Sequence, residues 1–145
     1  MKSLIQRVTQ AQVQVDDSTV GAINRGLLAF VGVERGDDSA SVVRMAQRLL
    51  TYRVFSDTEG RMNRSLTDVG GDLLLVSQFT LAADTRKGTR PSFSSAADPE
   101  EAAVIFGELI ACCRESGLRT ETGRFGAEMV VSLINDGPVT FLLEC

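Results

Sequence analysis

Residues 73–81, LLLVSQFTL, place four consecutive aliphatic residues directly before a short polar motif. An aliphatic run of this kind is typical of a strand that is buried on both faces. Residues 26–33, GLLAFVGV, form a second such run earlier in the chain. The two runs predict the centre of a covered sheet, with the polar motif at the end of one central strand.

Further strands are predicted on either side of these runs. Val13 and Val15 alternate with glutamines, residues 16–18 supply turn chemistry, and residues 19–23 follow as another strand. Near the other end, residues 129–134 and 139–143 predict two strands joined by a hairpin turn at residues 135–138. Turns are also expected at residues 57–60 and 68–72.

Two helices complete the predicted fold. The first has Asp37, Asp38 and Ser39 as available caps before apolar residues at three- and four-residue steps. The second begins with Asp98 as N-cap and Pro99 at its first position, and Glu101 is expected to complete a capping box. We therefore expect one α+β domain over residues 1–145, with a mixed, mainly antiparallel, barrel-like sheet and two main helices.

Composition narrows the chemistry. The 145 residues include no histidine and three cysteines without ligand-like spacing, so we assign neither a metal nor a cofactor. The net charge of −4 argues against a broad nucleic-acid-binding surface. No apolar stretch reaches the roughly 20 residues that span a bilayer, so we expect a cytoplasmic protein without membrane contact.

The polar motif at residues 77–80 has two interpretations. Its side chains either satisfy the turn after the strand or form a site at the strand end. In the second case, backbone N–H groups near Phe79 and Thr80 are able to hold an oxyanion. The Gln78 amide can read a base edge, since it both donates and accepts hydrogen bonds. A Thr80 nucleophile lacks an evident base, so positioning is favoured over covalent catalysis.

A second polar motif is Asn135-Asp136-Gly137-Pro138-Val139-Thr140. The favoured interpretation is an ordinary turn. The alternative uses a cis Gly-Pro bond, which costs little and would direct two carbonyl oxygens at an ammonium group. Gly137 also permits a backbone approach that a side chain would block.

The segment at residues 82–97 is predicted to be a long surface loop. It contains three cations within five residues, at Arg86, Lys87 and Arg90. A solvated loop is one interpretation; contact with a phosphate is the other, because the loop directly follows the first polar motif.

These two motifs, SQFTL and NxGPxT, resemble the signatures of the D-aminoacyl-tRNA deacylases, also called D-tyrosyl-tRNA deacylases. The similarity extends over the whole chain. It implies an esterase that removes D-amino acids, and also glycine, from the 3′ end of tRNA. It further implies a homodimer with its sites at the subunit interface, with tRNA rather than DNA as partner.

The resemblance also implies roles for individual residues. The Gly137-Pro138 peptide would be cis and enter the partner's pocket, where its carbonyls capture the substrate's α-amino group and exclude L-amino acids. The terminal ribose hydroxyl of the tRNA, rather than Thr80, would activate or position water. The expected catalytic residues are Ser77, Gln78, Phe79 and Thr80. The expected substrate-binding residues are Arg86, Lys87, Asn135, Gly137, Pro138, Val139 and Thr140.

Two other functions stay open from the sequence. One is a dimeric RNA- or nucleotide-binding module that holds a tRNA end without turnover. The other is a small-molecule hydrolase that uses Thr80 as a covalent nucleophile.

Overall fold

A computed structural model describes all residues, 1–145. The strands are β1 (Lys2–Val15), β2 (Ser18–Ile23), β3 (Gly26–Gly32), β4 (Phe55–Ser56), β5 (Met62–Arg64), β6 (Asp72–Ser77), β7 (Thr120–Thr122) and β8 (Val130–Glu144). The helices are α1 (Ser39–Thr51), α2 (Leu66–Val69) and α3 (Pro99–Arg114), and a 3₁₀ turn covers Phe79–Ala82. No helix is both long and apolar enough to cross a membrane.

The two aliphatic runs form the central strands β3 and β6, as predicted. Successive side chains of a strand point to opposite faces, and here both faces are buried. Leu73 and Leu75 of β6 join a large cluster that includes residues of α1 and α3. Leu74 and Val76 join a smaller cluster with residues of β1 and β2. The sheet is therefore packed against helices on one side and encloses a second core on the other.

The sheet is mixed and mainly antiparallel, as expected. The long strand β1 pairs antiparallel with β2, β3 and β8, whereas β3–β6 and β6–β7 are parallel. The sheet curls until β2 comes against β7. A Cβ at Gly21 would lie 2.5 Å from the Thr122 carbonyl oxygen, so a side chain there would block this approach. The result is the expected barrel-like, nearly closed core.

Both main helices are present, but one predicted cap is wrong. The Asp38 side chain accepts a hydrogen bond of 2.9 Å from the Ser41 N–H at the start of α1. At α3, Pro99 occupies the first turn as expected, yet the Asp98 side chain caps nothing. Its carboxylate lies instead 3.7 Å from the Arg35 guanidinium. The predicted box with Glu101 therefore does not form, because an ion pair draws the Asp98 carboxylate away from the helix end.

The predicted turn at residues 57–60 connects β4 and β5, but the turn at residues 68–72 is wrong in part. Its first residues belong to α2, which begins at a capping box between Ser65 and Asp68. The helix ends where Gly70 adopts a φ of 59°. The Gly70-Gly71 pair favours a turn, whereas the box spacing just before it starts a single helical turn.

The predicted C-terminal hairpin is also wrong, because β8 continues in one direction along β1. Thr140 pairs with Gln6 and Asn135 pairs with Val8. Residues 136–139 therefore leave the ladder opposite Arg7, and we call them the β8 bulge. The strand rejoins β1 beyond the bulge because β1 is long enough, at 14 residues, to pair with both halves.

Candidate functional site

The first motif lies where β6 ends and the 3₁₀ turn begins. The last ladder pair joins Val31 of β3 to Ser77. The Gln78 N–H then donates to the Val31 carbonyl at 2.7 Å, and the chain tightens into the turn. Within the turn, the Leu81 N–H donates to the Gln78 carbonyl at 3.2 Å. This bend exposes the residues that follow a fully buried strand.

Two backbone donors are free at this bend. Phe79 and Thr80 are the first residues of the 3₁₀ turn, and neither N–H donates to an acceptor in the chain. Both residues are exposed, Phe79 to 60%. Adjacent free N–H groups at the start of a helical turn form a concentrated positive dipole. The arrangement can hold an oxygen that carries negative charge.

The polar side chains of the motif bind one another rather than the turn. The Gln78 Nε2 donates to the Thr80 Oγ1 at 2.5 Å, and no side chain caps the turn. The interpretation that Gln78 satisfies the backbone of the turn is therefore wrong. The Thr80 hydroxyl accepts this bond, and no basic side chain forms a hydrogen bond with it.

A cavity of about 480 Å³ adjoins the motif. Ser77, Gln78 and Phe79 line one side of it. The other lining residues are mostly apolar and come from β6, from α3 and the residues just before it, and from β8 and the segment that precedes it: Val76, Ala97, Pro99, Ala102, Phe125, Gly126, Ala127, Met129 and Val131. Sequence reasoning did not single out Phe125 or Met129. The available signal was the presence of two large apolar residues in a short glycine-containing segment between strands. This pocket suits a flat ring system with polar edges.

The second motif is held by hydrogen bonds across the neck of the β8 bulge. The Asn135 Nδ2 donates to the Arg7 carbonyl at 2.9 Å and to the Val139 carbonyl at 3.1 Å. The Arg7 Nε donates to the Asp136 carbonyl at 3.0 Å, and its Nη1 donates to the Val54 carbonyl at 2.6 Å. Arg7 was not among the predicted site residues. The feature of the sequence that could have indicated Arg7 is its positive charge within a strand that is otherwise about half apolar.

The tip of the bulge projects main-chain atoms into solvent. Gly137 and Pro138 are both exposed, and the peptide bond between them is cis. Gly137 has a φ of 146°, and a Cβ there would lie 2.6 Å from the Val139 nitrogen. Thr140 lies beyond the tip, where its Oγ1 accepts a hydrogen bond of 3.2 Å from Gln6.

Within one copy of the chain the two motifs lie apart. Ser77 is level with Val31, which pairs with Ser3, whereas the bulge faces Arg7. This offset of four residues and three strand spacings corresponds to about 15–20 Å. Neither Gly137 nor Pro138 lines the cavity.

The cationic loop beyond the 3₁₀ turn has one cation already bound. The Arg86 Nε and Nη2 donate to the two Asp84 carboxylate oxygens at 2.9 and 2.7 Å. These hydrogen bonds hold the pKa of Asp84 well below its usual range and raise the pKa of Arg86. Among the loop's cations, Arg86 alone forms an ion pair within the chain. Lys87 and Arg90 have no ion-pair partner within the chain and are available to contact a ligand.

The fold is an α+β, barrel-like one, and its candidate site presents hydroxyl, amide and main-chain groups. A family model described as D-Tyr-tRNA(Tyr) deacylase matches residues 4–144. The chain belongs to this family of hydrolases, which confirms the resemblance seen in its two motifs.

Curated relatives agree with the assignment. A protein of Teredinibacter turnerae named D-aminoacyl-tRNA deacylase is 64% identical over 144 residues, covering 99% of each chain. A protein of Stenotrophomonas maltophilia with the same name is 66% identical over 145 residues, again covering 99% of each.

Two solved structures share the fold. One is named c-Myc DNA Unwinding Element Binding Protein, with 36% identity and a TM-score of 0.94 over 100% of this chain and 99% of that one. The other is described as a probable eukaryotic D-amino acid tRNA deacylase, with 17% identity, a TM-score of 0.86 and coverage of 98% and 97%. The second likeness concerns the fold alone.

Proposed function

We propose that this protein hydrolyses the ester bond of D-aminoacyl-tRNA, and of glycine mischarged onto tRNA, in the cytoplasm. The products are the free amino acid and tRNA with an intact 3′ end. Family membership and the names of relatives at 64–66% identity support this reaction. The site residues support the same chemistry on independent grounds.

One observation carries the proposal: two free backbone N–H groups, on Phe79 and Thr80, stand beside the apolar cavity. The terminal adenosine would occupy the cavity near Gln78 and Phe79. The ester carbonyl oxygen would then lie against the two N–H groups, which bind it more strongly once it becomes an oxyanion.

The reaction needs no protein nucleophile. Water adds to the ester carbonyl carbon, and the tetrahedral oxyanion collapses with cleavage of the bond to the ribose oxygen. That oxygen takes up a proton, and the amino acid leaves as a carboxylate. The neighbouring ribose hydroxyl of the tRNA would position or activate the water through a hydrogen bond. The Gln78 and Thr80 side chains, joined by a hydrogen bond of 2.5 Å, would keep each other in a fixed position beside this water.

We assign chiral selection to a second copy of the chain. The β8 bulge is too far from the cavity of its own copy to act there, but a partner's bulge could reach it. The Gly137 and Pro138 main chain would then bind the substrate's α-ammonium, leaving room for a D side chain and blocking an L side chain. Exposed apolar residues of β8 offer the contact surface between copies: Val130, Ile134 and Leu142, exposed to 64%, 52% and 53%.

A deacylation assay tests the reaction directly. Purified protein should release tyrosine from D-tyrosyl-tRNA and leave L-tyrosyl-tRNA intact over the same period. Equal rates on both would contradict the chiral filter, and no release from either would contradict the proposed reaction.

The backbone donors can be tested separately from the Phe79 ring. Phe79→Pro removes the N–H at the first position of the turn, where proline is tolerated, and Gln78 before it already lies outside the helical region, at φ −144° and ψ 82°. Phe79→Ala removes the ring and keeps the N–H. We expect Phe79→Pro to lower kcat by about 10²–10³ relative to Phe79→Ala, the usual effect of losing one oxyanion donor. Similar rates for the two variants would remove the Phe79 N–H from the mechanism.

Two competing functions make different predictions. A binding module without turnover is favoured by one likeness, since the 36% identical solved structure bears the name of a DNA-binding protein. Such a module predicts capture of nucleic acid with no release of amino acid. A hydrolase that uses Thr80 covalently predicts that Thr80→Ala abolishes turnover while binding persists, whereas our proposal predicts that much of the activity remains.

A further inference from the structure

Phe93 is an exposed aromatic side chain that the proposed reaction does not use. It lies in the loop after the 3₁₀ turn, and its ring centroid is 5.1 Å from that of Phe79. The rings are tilted by 49° and remain exposed to 41% for Phe93 and 60% for Phe79. We call this pair the aromatic step. Since Phe79 lines the cavity, the aromatic step lies at its rim.

A polar cleft adjoins the chain next to Phe93, since Ser92 is one of its lining residues. It has a volume of about 480 Å³ and is lined by Asp84, Arg86, Lys87, Arg90 and Ser92. We call it the cationic cleft, because three cations there face one carboxylate. In a chain whose net charge is −4, this is a local concentration of positive charge.

The loop that carries these groups is closed at its base. The Asp84 N–H donates to the Ser92 carbonyl at 2.8 Å, and the Ser92 N–H donates back to the Asp84 carbonyl at 3.0 Å. The Arg86 guanidinium reinforces this base by binding the Asp84 carboxylate. Arg86 therefore supports the loop, while Lys87 and Arg90 are left to contact a ligand. Phe93 directly follows this closure in the chain.

We propose that the aromatic step and the cationic cleft bind the nucleotide that precedes the terminal adenosine of the tRNA. Its base stacks on Phe93, and its phosphate is bound by Lys87 and Arg90. The order of features along the surface, from apolar cavity to aromatic pair to free cations, matches the order of groups along a single-stranded 3′ end. Exposed aromatic rings beside cations are the usual means of binding unpaired nucleotides. This inference rests on the proposed function.

The test compares a full substrate with a truncated one. D-Tyrosyl-tRNA contains the preceding nucleotide, whereas 3′-O-D-tyrosyl-adenosine lacks it. Phe93→Ala should lower kcat/KM on the tRNA by about 5- to 100-fold, the range expected for one lost stacking contact. It should leave the adenosine ester unchanged. Phe93→Tyr keeps an aromatic ring and should restore the rate on tRNA. Met62→Ala is the matched control: it removes another exposed apolar side chain, 46% exposed on β5, and should change neither rate.

A change in the RNA provides a test that does not depend on any variant folding. A D-tyrosyl-tRNA with an abasic nucleotide before the terminal adenosine should lose as much activity with the unmodified protein as Phe93→Ala loses with normal tRNA. Combining the two changes should cause little further loss, because both remove the same contact. Additive losses would overturn the proposal.

The cations are tested by salt dependence. Lys87→Gln and Arg90→Gln should each reduce the slope of log kcat/KM on tRNA against log salt by roughly 0.7, and leave the adenosine ester unaffected. Equal losses on both substrates for Phe93→Ala would mean that Phe93 only supports Phe79, and would overturn this inference while leaving the proposed reaction standing. If the unmodified protein cleaves neither substrate, both proposals fail.

Discussion

At the scale of single residues, the site depends on side chains that hold main-chain atoms in place. The tip of the β8 bulge, Gly137 and Pro138, presents no functional group except two peptide carbonyls and the Gly137 N–H. Asn135 and Arg7 make the hydrogen bonds that join its neck to β1 and to the segment before β4. The NxGPxT motif thus contains one residue that shapes the bulge and two that occupy its tip.

Asn135→Ala should destabilise the bulge. It removes the donor for two carbonyls, on Arg7 and Val139, that are partly shielded from water. We expect a loss of about 1–2 kcal/mol in the free energy of unfolding, measured by urea denaturation. Deacylation should fall by more than stability alone accounts for, since the folded fraction stays near one. Gln6→Ala, which removes a single exposed bond to Thr140, is the matched control and should change little.

Gly137→Ala should also change the conformation of the β8 bulge. A Cβ at Gly137 meets the Val139 nitrogen of its own chain at 2.6 Å. The substitution therefore rearranges the bulge itself, rather than simply adding a methyl group to a pocket wall. Loss of activity in Gly137→Ala would report the bulge's conformation, as Asn135→Ala does.

Cys113 is expected to be unreactive in the folded protein. Cys113 is fully buried in the main core, and burial raises the pKa of its thiol to about 12. At pH 8 it stays protonated, so native protein treated with iodoacetamide should remain unmodified at Cys113, as mass spectrometry would show. Denatured protein should be alkylated there. Rapid alkylation of Cys113 in native protein would contradict its burial.

At the scale of elements, the two main helices test how much a cap contributes. Asp38 caps α1 through the Ser41 N–H, and this hydrogen bond lowers the pKa of Asp38. Asp98 has the same position at α3 but caps nothing. We expect Asp38→Ala to lower the thermal midpoint clearly and Asp98→Ala to lower it little. Equal shifts, measured by circular dichroism at 222 nm, would show that the hydrogen bond does not determine the difference.

The Asp38 contribution should also depend on pH in a defined direction. The folded-state pKa of Asp38 is lowered, so its stabilising effect is present above the unfolded pKa and is lost as pH falls through the folded pKa. The difference in midpoint between Asp38→Ala and the parent chain should therefore shrink below about pH 4. A constant difference across that range would assign the effect to something other than the ionised cap.

The elements that sequence predicted best were those set by local patterns. The aliphatic runs at 26–33 and 73–76 have apolar side chains on both faces of a strand, so they could be buried only in a strand that is covered on both sides. The apolar spacing of α3 and its Pro99 start were equally local. The errors arose where distant contacts decided the outcome. Asp98 was drawn to Arg35. The chain at residues 135–138 does not reverse, because the long strand β1 pairs with β8 on both sides of the bulge.

For the candidate site, too, residues set by local sequence patterns were predicted and residues set by distant contacts were missed. Residues 77–80 were predicted at a strand end because the preceding strand fixes where they emerge. Arg7, Phe125 and Met129 were missed, since their roles come from strand pairing and from a segment that folds back over the cavity. That the two motifs lie on separate parts of one copy could not be read from their order in the sequence.

At the scale of the whole molecule, the exposed side of β8 is the surface where the proposed second copy would bind. Only one edge of this strand of 15 residues is paired, and large apolar side chains on it face solvent. Such an edge is an aggregation hazard unless a partner covers it. A dimer with two-fold symmetry would cover both copies alike and bring each bulge toward the other copy.

Mixing two inactive variants tests whether each site uses both copies. Phe79→Pro damages the backbone donors, and Gly137→Val damages the bulge, so each should be inactive alone. After unfolding and refolding together in equal amounts, half of the dimers should contain one of each. Each mixed dimer has one site with both defects and one with neither, so activity should return to about a quarter of the unmodified level. Refolding each variant alone is the control. If the donors and the bulge of one site belonged to the same copy, every site in the mixture would carry a defect and no activity would return.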